Sequence, residues 1–551
     1  MPMKQFLTLL AQPNRIKSPW RGGLVFAIWY VLCFCDHFVY SDLQIPHSAA
    51  YFALMFLQPA CYAGLLTAIH LLLGRFRWLL LPFFAYAWVL TCVEFCIVLM
   101  IGACQTGDLP LIVLNSSWNE IKTFFAQTVP IGAYVGVTLA LVIGGLAAKT
   151  LFTIRLDVSW RFKLIGSLLL VVPFVLLDLC LLPVILLPRQ MLFSGFLTDS
   201  AKNWRENNLL YDACLRPKDV GNVCVETTDE GNPVGVFLIG ESVTRNRMGI
   251  YGYARATTPC LQQLKPERLF VFQNLLGCWS NTQGALRRLL TELDLNAGSE
   301  PCCTLPEVCS RAGYDCILLS NQGHWGPHDS YDSRLFLACR EKTWLEDEGG
   351  GSDLDLVRLL EDRLTGDIPK PTLAFMHQLG CHWPMTYYTP DYAKFPLDAA
   401  EACPEETNAR IRALCNRYDN CVLQTDACFG KTVALLKRTK RPAFAVFVSD
   451  HGETPRQGSI RVHKDNDLWE IPMVVWVSDE YAKAYPDVIE QLELAANRRL
   501  QQDQLFAGLL TLFRITGYSR HSSTKDFLSS FFQPRQVRTI VNGTVPYEKD
   551  R

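Results

Sequence analysis

The chain has no excess of either charge: 52 Lys and Arg face 53 Asp and Glu, a formal net charge of -1. Sequence-independent attraction to phosphate backbones needs surplus cations, so nucleic acid is excluded as a partner. There is no internal repeat and no low-complexity tract, which excludes a solenoid and a long disordered tail. No Cys-x-x-Cys pair follows Leu187, which removes the thiolate zinc motifs built on that spacing. Two further scarcities divide the chain. Charge is sparse before Leu187, and long apolar runs are sparse after it. At 551 residues the chain exceeds one domain of about 100–200 residues. It reads as residues 1–187, a bridge over 188–232, and residues 233–551.

What the first part does have is apolar runs near the roughly 20 residues that cross a bilayer. Five are expected to span: Gly22–Tyr40, Ala49–Gly74, Trp78–Ala103, Val129–Ala148 and Leu164–Leu187. The first carries Asp36 and His37 near its end, but no small-residue cleavage site follows, so it reads as a span and not as a signal peptide. Lys4, Arg15, Lys17 and Arg21 precede it. Arg75 and Arg77 lie between the second and third spans, and Lys149, Arg155, Arg161 and Lys163 between the fourth and fifth. The alternate loops hold only Lys122. Lys and Arg stay cytoplasmic, so the N-terminus is expected inside and everything after Leu187 outside. Asp36, Glu94 and Asp178 cost a few kcal/mol each if they face lipid, so they should face the bundle or an end. The outer cluster Asn115-Ser-Ser-Trp-Asn-Glu120 is placed to meet a lipid headgroup, with Asn115 and Glu120 as its polar groups.

Seven of the 21 cysteines precede Leu187 and 14 follow it. An even, dense set in a non-cytoplasmic domain reads as disulfides. Short spacings such as Cys415 and Cys421 are candidate bridges. Within the bridge, Phe193–Leu210 mixes Phe, Leu and Trp with Lys and Arg, the composition of a helix lying on a membrane surface.

From Val234 short β-rich runs alternate with helical stretches. The runs are Val234–Ile239, Leu269–Phe272, Cys316–Leu319, Leu373–Met376, Ala443–Val448 and Met473–Val477; the helical stretches include Leu305–Ala312, Asp353–Arg363 and Ala409–Leu436. This alternation predicts an α/β domain, a mostly parallel sheet sandwiched by helices. In such sheets ligands bind beyond the carboxyl ends of the strands. Val234–Ile239 ends in Gly240-Glu241-Ser242, and Ala443–Val448 ends in Ser449-Asp450-His451-Gly452-Glu453. Two strand-end carboxylates and an imidazole can converge on a metal; their oxygens and nitrogen suit zinc, with a fourth position for a hydroxyl or water.

On these residues the chain resembles the phosphoethanolamine transferases, relatives of alkaline phosphatase and the sulfatases. The resemblance is carried by Gly240-Glu241-Ser242 with Tyr251-Gly-Tyr and Thr257-Thr-Pro259, and by Cys278-Trp-Ser-Asn-Thr282. His377-Gln-Leu-Gly-Cys-His382-Trp-Pro384, Tyr418-Asp-Asn420 with Thr425-Asp426, and Asp450-His-Gly-Glu453 followed by His463 complete it. It implies that Glu241, Thr282, Asp450 and His451 hold one zinc ion, with a second possible at the histidines. It also implies that Thr282 is the nucleophile, and that His382 and His463 act near the phosphoryl group with His377 opening the same motif as a substrate contact. The implied reaction moves phosphoethanolamine from phosphatidylethanolamine to an envelope glycolipid or glycan, in the inner membrane of a Gram-negative cell with the catalytic domain in the periplasm. Where the family often has small residues and Pro-Cys after its nucleophile, this chain has Gln283-Gly-Ala-Leu-Arg-Arg288, which keeps Ser280 open as the nucleophile.

Some residues have plainer readings. Arg287 and Arg288 read as a solvated helix face, Asn321 and Gln322 as turn residues, Tyr418 as helix packing, and His377 equally as a core histidine. A sulfatase would need Cys or Ser in a Cys/Ser-x-Pro/Ala-x-Arg setting, absent around Thr282. A glycerophosphate transferase of the lipoteichoic-acid type and an inactive membrane scaffold are the remaining alternatives.

Overall fold

A computed structural model describes residues 21–40, 49–101, 131–154, 160–176, 205, 216, 218–295, 302–322, 331–345, 351–366, 368–455, 465–540, 545–547 and 549. The chain forms two compact units, Met1–Arg205 and Glu206–Arg551.

In the first unit the described helices are α1 (Arg21–Tyr40), α2 (Ala49–Leu73), α3 (Leu81–Ile101), α4 (Ile131–Thr153) and α5 (Trp160–Phe174). Among the described residues, two stretches are long and apolar enough to cross a membrane. Phe56–Phe95 runs from α2 through a 3₁₀ turn into α3, and Tyr134–Thr153 lies in α4. Helix α1 packs on α2 and α3, and α2 on α5. Asp36 and Glu94 are both fully buried, and Thr91 Oγ1 donates to Asp36 Oδ1 at 3.1 Å. These two carboxylates therefore sit inside the helical unit, as the cost of lipid exposure demands. The end of the fifth expected span, Asp178, Asn115, Glu120 and the Phe193–Leu210 segment apart from Arg205 lie outside the described residues.

The second unit is built on a seven-stranded sheet. Its strands are β1 (Val234–Gly240), β2 (Leu269–Phe272), β3 (Asp315–Ser320), β4 (Glu341–Trp344), β5 (Thr372–His377), β6 (Ala443–Ser449) and β7 (Met473–Val477). They lie in the order β2-β7-β6-β1-β5-β3-β4. All neighbours are parallel except the two pairs that involve β7. Side chains alternate faces along a strand, and both faces of β1 are buried. Phe237 and Ile239 join one core with Phe375, Phe444, Leu505 and Leu509. Val234, Val236 and Leu238 join the other, with Leu356, Leu360, Tyr418 and Val422. The last four lie on α7 (Asp353–Leu364) and α8 (Ala409–Thr439). Strand β4, Glu-Lys-Thr-Trp at the sheet edge, has no apolar run in sequence, because only Trp344 is buried.

One expected bridge is corrected. Cys415 bonds to Cys403, and Cys421 is a free buried thiol. Cys415 and Cys421 both belong to α8. Six residues of helix rise about 9 Å, beyond the roughly 7 Å between Cα atoms that a disulfide spans.

Candidate active site

The register of the sheet assembles the site. Gly240 pairs with Ser449 across β1 and β6, and Ile239 pairs with His377 across β1 and β5. Glu241 and Asp450 therefore leave the sheet side by side, and the Asp450 N–H extends the ladder to Gly240 O at 2.9 Å. Ser242 takes a left-handed turn at φ 60°, a conformation uncommon outside glycine. Its groups are all engaged. The N–H donates to Asp450 Oδ1 at 2.9 Å, the hydroxyl to Glu241 Oε1 at 2.6 Å, and the carbonyl accepts from Tyr418 OH at 2.7 Å. Gly452 follows the second strand where no side chain fits, since a Cβ there would lie 1.9 Å from Asp467 O.

Glu241, Asp450 and His451 are fully buried, with one ligand atom from each lying within 4.8 Å of the others. His451 Nδ1 lies 2.8 Å from Gly452 O. In the neutral ring, donation to that carbonyl leaves the Nε2 lone pair 3.3 Å from Asp450 Oδ2 and 3.6 Å from Glu241 Oε1. Among the described residues Asp450 Oδ2 accepts no hydrogen bond. A lone pair aimed at two buried carboxylates is repulsive unless a cation lies between them. The donor set, two carboxylate oxygens and one imidazole nitrogen, fits zinc.

Thr282 joins this group. It opens the helix α6 (Thr282–Leu289), capped by Asn281, whose side chain accepts from Gly284 N at 2.9 Å. Its hydroxyl donates to Glu241 Oε2 at 3.2 Å. Trp279 lies over Gly284, where a Cβ would clash with the indole at 1.9 Å. Arg288 is buried beneath that ring, its guanidinium 5.1 Å from the ring centre, and donates to Leu295 O at 3.3 Å. It is therefore a packing residue of α6 and not a solvated one.

His377 ends β5 fully buried. Burial pushes its imidazole down to about 4, with the Asp450 carboxylate pulling the other way. The following turn hangs on the same group, because Cys381 N donates to Glu241 O at 3.0 Å. His382 comes next, its Nδ1 2.9 Å from Trp383 O. Asp353 fixes this turn, accepting from Leu379 N and Gly380 N, each at 2.9 Å. His463 lies outside the described residues.

Three contributors were read otherwise or missed in the sequence. Gln322 is no mere turn residue: Nε2 donates to Glu241 Oε2 at 3.1 Å and to Gln378 O at 2.7 Å. Tyr418 does more than pack, since its hydroxyl also accepts from Thr244 N at 2.8 Å and so braces the turn after Glu241. Asp353 carried a visible signal only as the first-turn acid of α7, after the cap Ser352.

A mostly parallel sheet with strand-end carboxylates, an imidazole and a helix-opening threonine forms a candidate metal site of the alkaline-phosphatase and sulfatase kind. The sulfatase family model matches residues 233–515, just over half of the chain, and the chain belongs to that family. It is 28% identical over 341 residues to phosphoethanolamine transferase EptC of Escherichia coli O18:K1:H7, covering 57% of this chain and 56% of that protein. The chain thus spans little more than half the length of this curated relative. Its fold matches the integral membrane lipooligosaccharide phosphoethanolamine transferase A of Neisseria meningitidis with a TM-score of 0.69 at 17% identity, over 94% of this chain and 99% of that one. The zinc complex of the periplasmic domain of Escherichia coli EptC matches with a TM-score of 0.53 at 23% identity, over 58% of this chain and 92% of that one.

Proposed function

We propose that the chain is a zinc-dependent phosphoethanolamine transferase, taking the group from phosphatidylethanolamine and passing it to a cell-envelope acceptor: lipopolysaccharide core, lipid A or a periplasmic glycan. The observation that carries this reading is the hydrogen bond from Thr282 to Glu241, which is grouped with Asp450 and His451 at the ends of two adjacent strands. Kinship with the sulfatase family and likeness to a phosphoethanolamine transferase over 57% of the chain support it.

Glu241, Asp450, His451 and the Thr282 hydroxyl would hold one zinc ion. A zinc ion lowers the pKa of a bound oxygen by several units, the property a threonine alcohol lacks by itself. The remaining work falls to the protein. Ser242 and Gln322 orient the two oxygens of Glu241, and Gly452 O sets the tautomer of His451. Thr282 Oγ loses its proton to solvent and forms a bond to phosphorus as the bond to the glycerol oxygen breaks, and diacylglycerol leaves with a proton from His382 or His463. An acceptor oxygen then displaces Thr282 from the phospho-threonine, its own proton returning to that histidine and Thr282 regaining one from solvent. Splitting one hard displacement into two is the usual gain of a covalent intermediate.

Donor and acceptor both belong to the envelope, which gives the first unit its role: five spans, N-terminus in the cytoplasm, residues 188–232 on the membrane surface and 233–551 in the periplasm. Asn115 and Glu120 are proposed headgroup contacts, and His377 a contact near the phosphoryl group. Mass spectrometry of lipopolysaccharide and glycans from a deletion strain tests the reading: one envelope component should lose phosphoethanolamine, and an unchanged envelope would overturn it.

A further inference from the structure

We propose that Gln502 is a positioning residue that locks the metal-ligand turn to the segment carrying the nucleophile, an inference that rests on the transferase reading above. Gln502 is fully buried, and its single carboxamide touches both segments. Oε1 accepts from Cys278 N at 3.4 Å, four residues before Thr282. Nε2 donates to Ser449 O at 3.2 Å and to Asp450 O at 2.5 Å. Ser449 is the last residue of β6, so the carbonyls of Ser449 and Asp450 mark where the chain quits the sheet. Buried carbonyls there need partners from elsewhere, and Gln502 supplies one donor for both.

The residues beside Gln502 hold it still. Leu500 and Gln501 pair in parallel with Leu275 and Leu276, just ahead of Cys278. Arg535 Nη1 donates to Asp503 Oδ1 at 2.6 Å. Asp503 also accepts from Leu295 N at 2.9 Å, beyond the far end of α6, and from the Cys278 thiol at 3.6 Å. The segment 500–503 thus grips the nucleophile's helix on either side, and Gln502 alone of its side chains reaches over to Asp450. Cys278 is a free thiol, so this grip is non-covalent. A shift of about 1 Å in a reacting group can cost on the order of a hundredfold in rate. Partners behind a metal ligand typically contribute about 10–100-fold to metal affinity. Gln502 stands behind both.

The test uses the full-length protein in detergent. Zinc affinity is measured by competition with a chelator, kcat and KM with phosphatidylethanolamine, and Tm by thermal melting. Gln502→Met removes both halves of the carboxamide at similar volume. Gln501→Met is the control, a buried glutamine beside it whose bonds run to Arg535 and Thr539. Gln502→Met should weaken zinc by at least about tenfold and lower kcat by about tenfold at nearly constant KM. Gln501→Met, with a similar loss of Tm, should change each by less than about threefold. Equal effects from the two variants would make Gln502 a structural residue only and overturn the proposal. If Gln502→Met does not fold, Gln502→Asn decides, because its shorter amide cannot span both segments; unchanged zinc affinity there overturns the proposal equally. Absence of transfer in the unaltered protein would sink the transferase reading, while the zinc competition would still decide the role of Gln502.

Discussion

Thr282 donates its hydroxyl hydrogen to Oε2 of Glu241 at 3.2 Å, and Gln322 donates to the same oxygen at 3.1 Å. The proposed nucleophile is therefore held by a carboxylate that is itself held, which is what a pre-positioned attacking group requires. Replacing Thr282 with Ala should lower transfer by at least about a thousandfold, while zinc remains on the other three ligands. Thr282→Ser should keep a measurable rate, since the alcohol survives. Intact mass after exposure to donor reads the intermediate directly: a phosphoethanolamine adduct in the native protein, none in the alanine variant. An adduct that persisted in Thr282→Ala would transfer the role to Ser280.

Removing the metal should cost stability as well as activity, because two buried carboxylates would then face a lone pair with no counter-charge. A ligand bound only to the native state stabilises by about 3 kcal/mol at a hundred times its Kd. Dialysis against a strong chelator should thus lower the Tm of the catalytic unit by several degrees and abolish transfer, and zinc should restore both. An unchanged Tm with full turnover would show that no cation belongs there.

Gln322 tests how much that orientation matters. Gln322→Met keeps the volume but drops both hydrogen bonds, loosening the hold on Oε2 of Glu241, which Thr282 still contacts. We expect kcat to fall about tenfold, with KM within about twofold, the pattern of a lost positioning contact. A change confined to KM would instead mark Gln322 as a donor-binding group.

Glu241, Asp450 and His451 were legible in the sequence because their signal is local: an apolar run that fits a buried strand, then an acid, then a turn residue. Register did the rest, and register is a tertiary property. Strand β4 left no such trace, since an edge strand of Glu-Lys-Thr-Trp buries one side chain. Gln322, Tyr418 and Gln502 reach partners 81, 176 and 52 residues away, and nothing adjacent to them announces it. Arg288 misled for a related reason: a cation on a short helix looks solvated until Trp279 is seen folded across it. The Cys415 pairing was misread because sequence spacing hides the rigid rise of α8.

The Cys403–Cys415 bond closes a loop of 12 residues in sequence and ties the segment before α8 to its first turns. A loop of that size is worth about 3 kcal/mol by restriction of the unfolded chain. Arg247 Nη2 also donates to Cys403 Sγ at 3.4 Å, beside the buried pair Arg247–Asp419 at 3.1 Å. Cys403→Ser with Cys415→Ser should lower unfolding free energy by about 2–4 kcal/mol with zinc content unchanged, read by denaturant melting and metal analysis. Peptide mapping without reductant should recover the two cysteines linked; finding both alkylated would refute the pairing.

Asp426 gives the pH dependence a definite sign. It lies in α8 and is nearly fully buried, its carboxylate accepting from Cys260 N at 2.7 Å and Leu261 N at 2.9 Å at the start of the helix Pro259–Leu264. Burial pushes this carboxyl up to about 6, outweighing the two N–H donors that pull it down. An unfolded Asp titrates near 3.9, so between about pH 4 and 6 the native state holds a proton that the unfolded state has released. Stability must then fall as pH rises through that window and level off above it. A shift of roughly two units caps the effect at about 3 kcal/mol. Asp426→Asn removes the titration while keeping an amide oxygen for one of the two N–H groups. The difference in unfolding free energy, native minus Asp426→Asn, should therefore decline from pH 4 to pH 6 and stay flat from 6.5 to 8. Parallel curves across the lower window would show that the Asp426 carboxyl ionises on folding as readily as in the open chain, and that the helix N–H groups, not burial, set its charge.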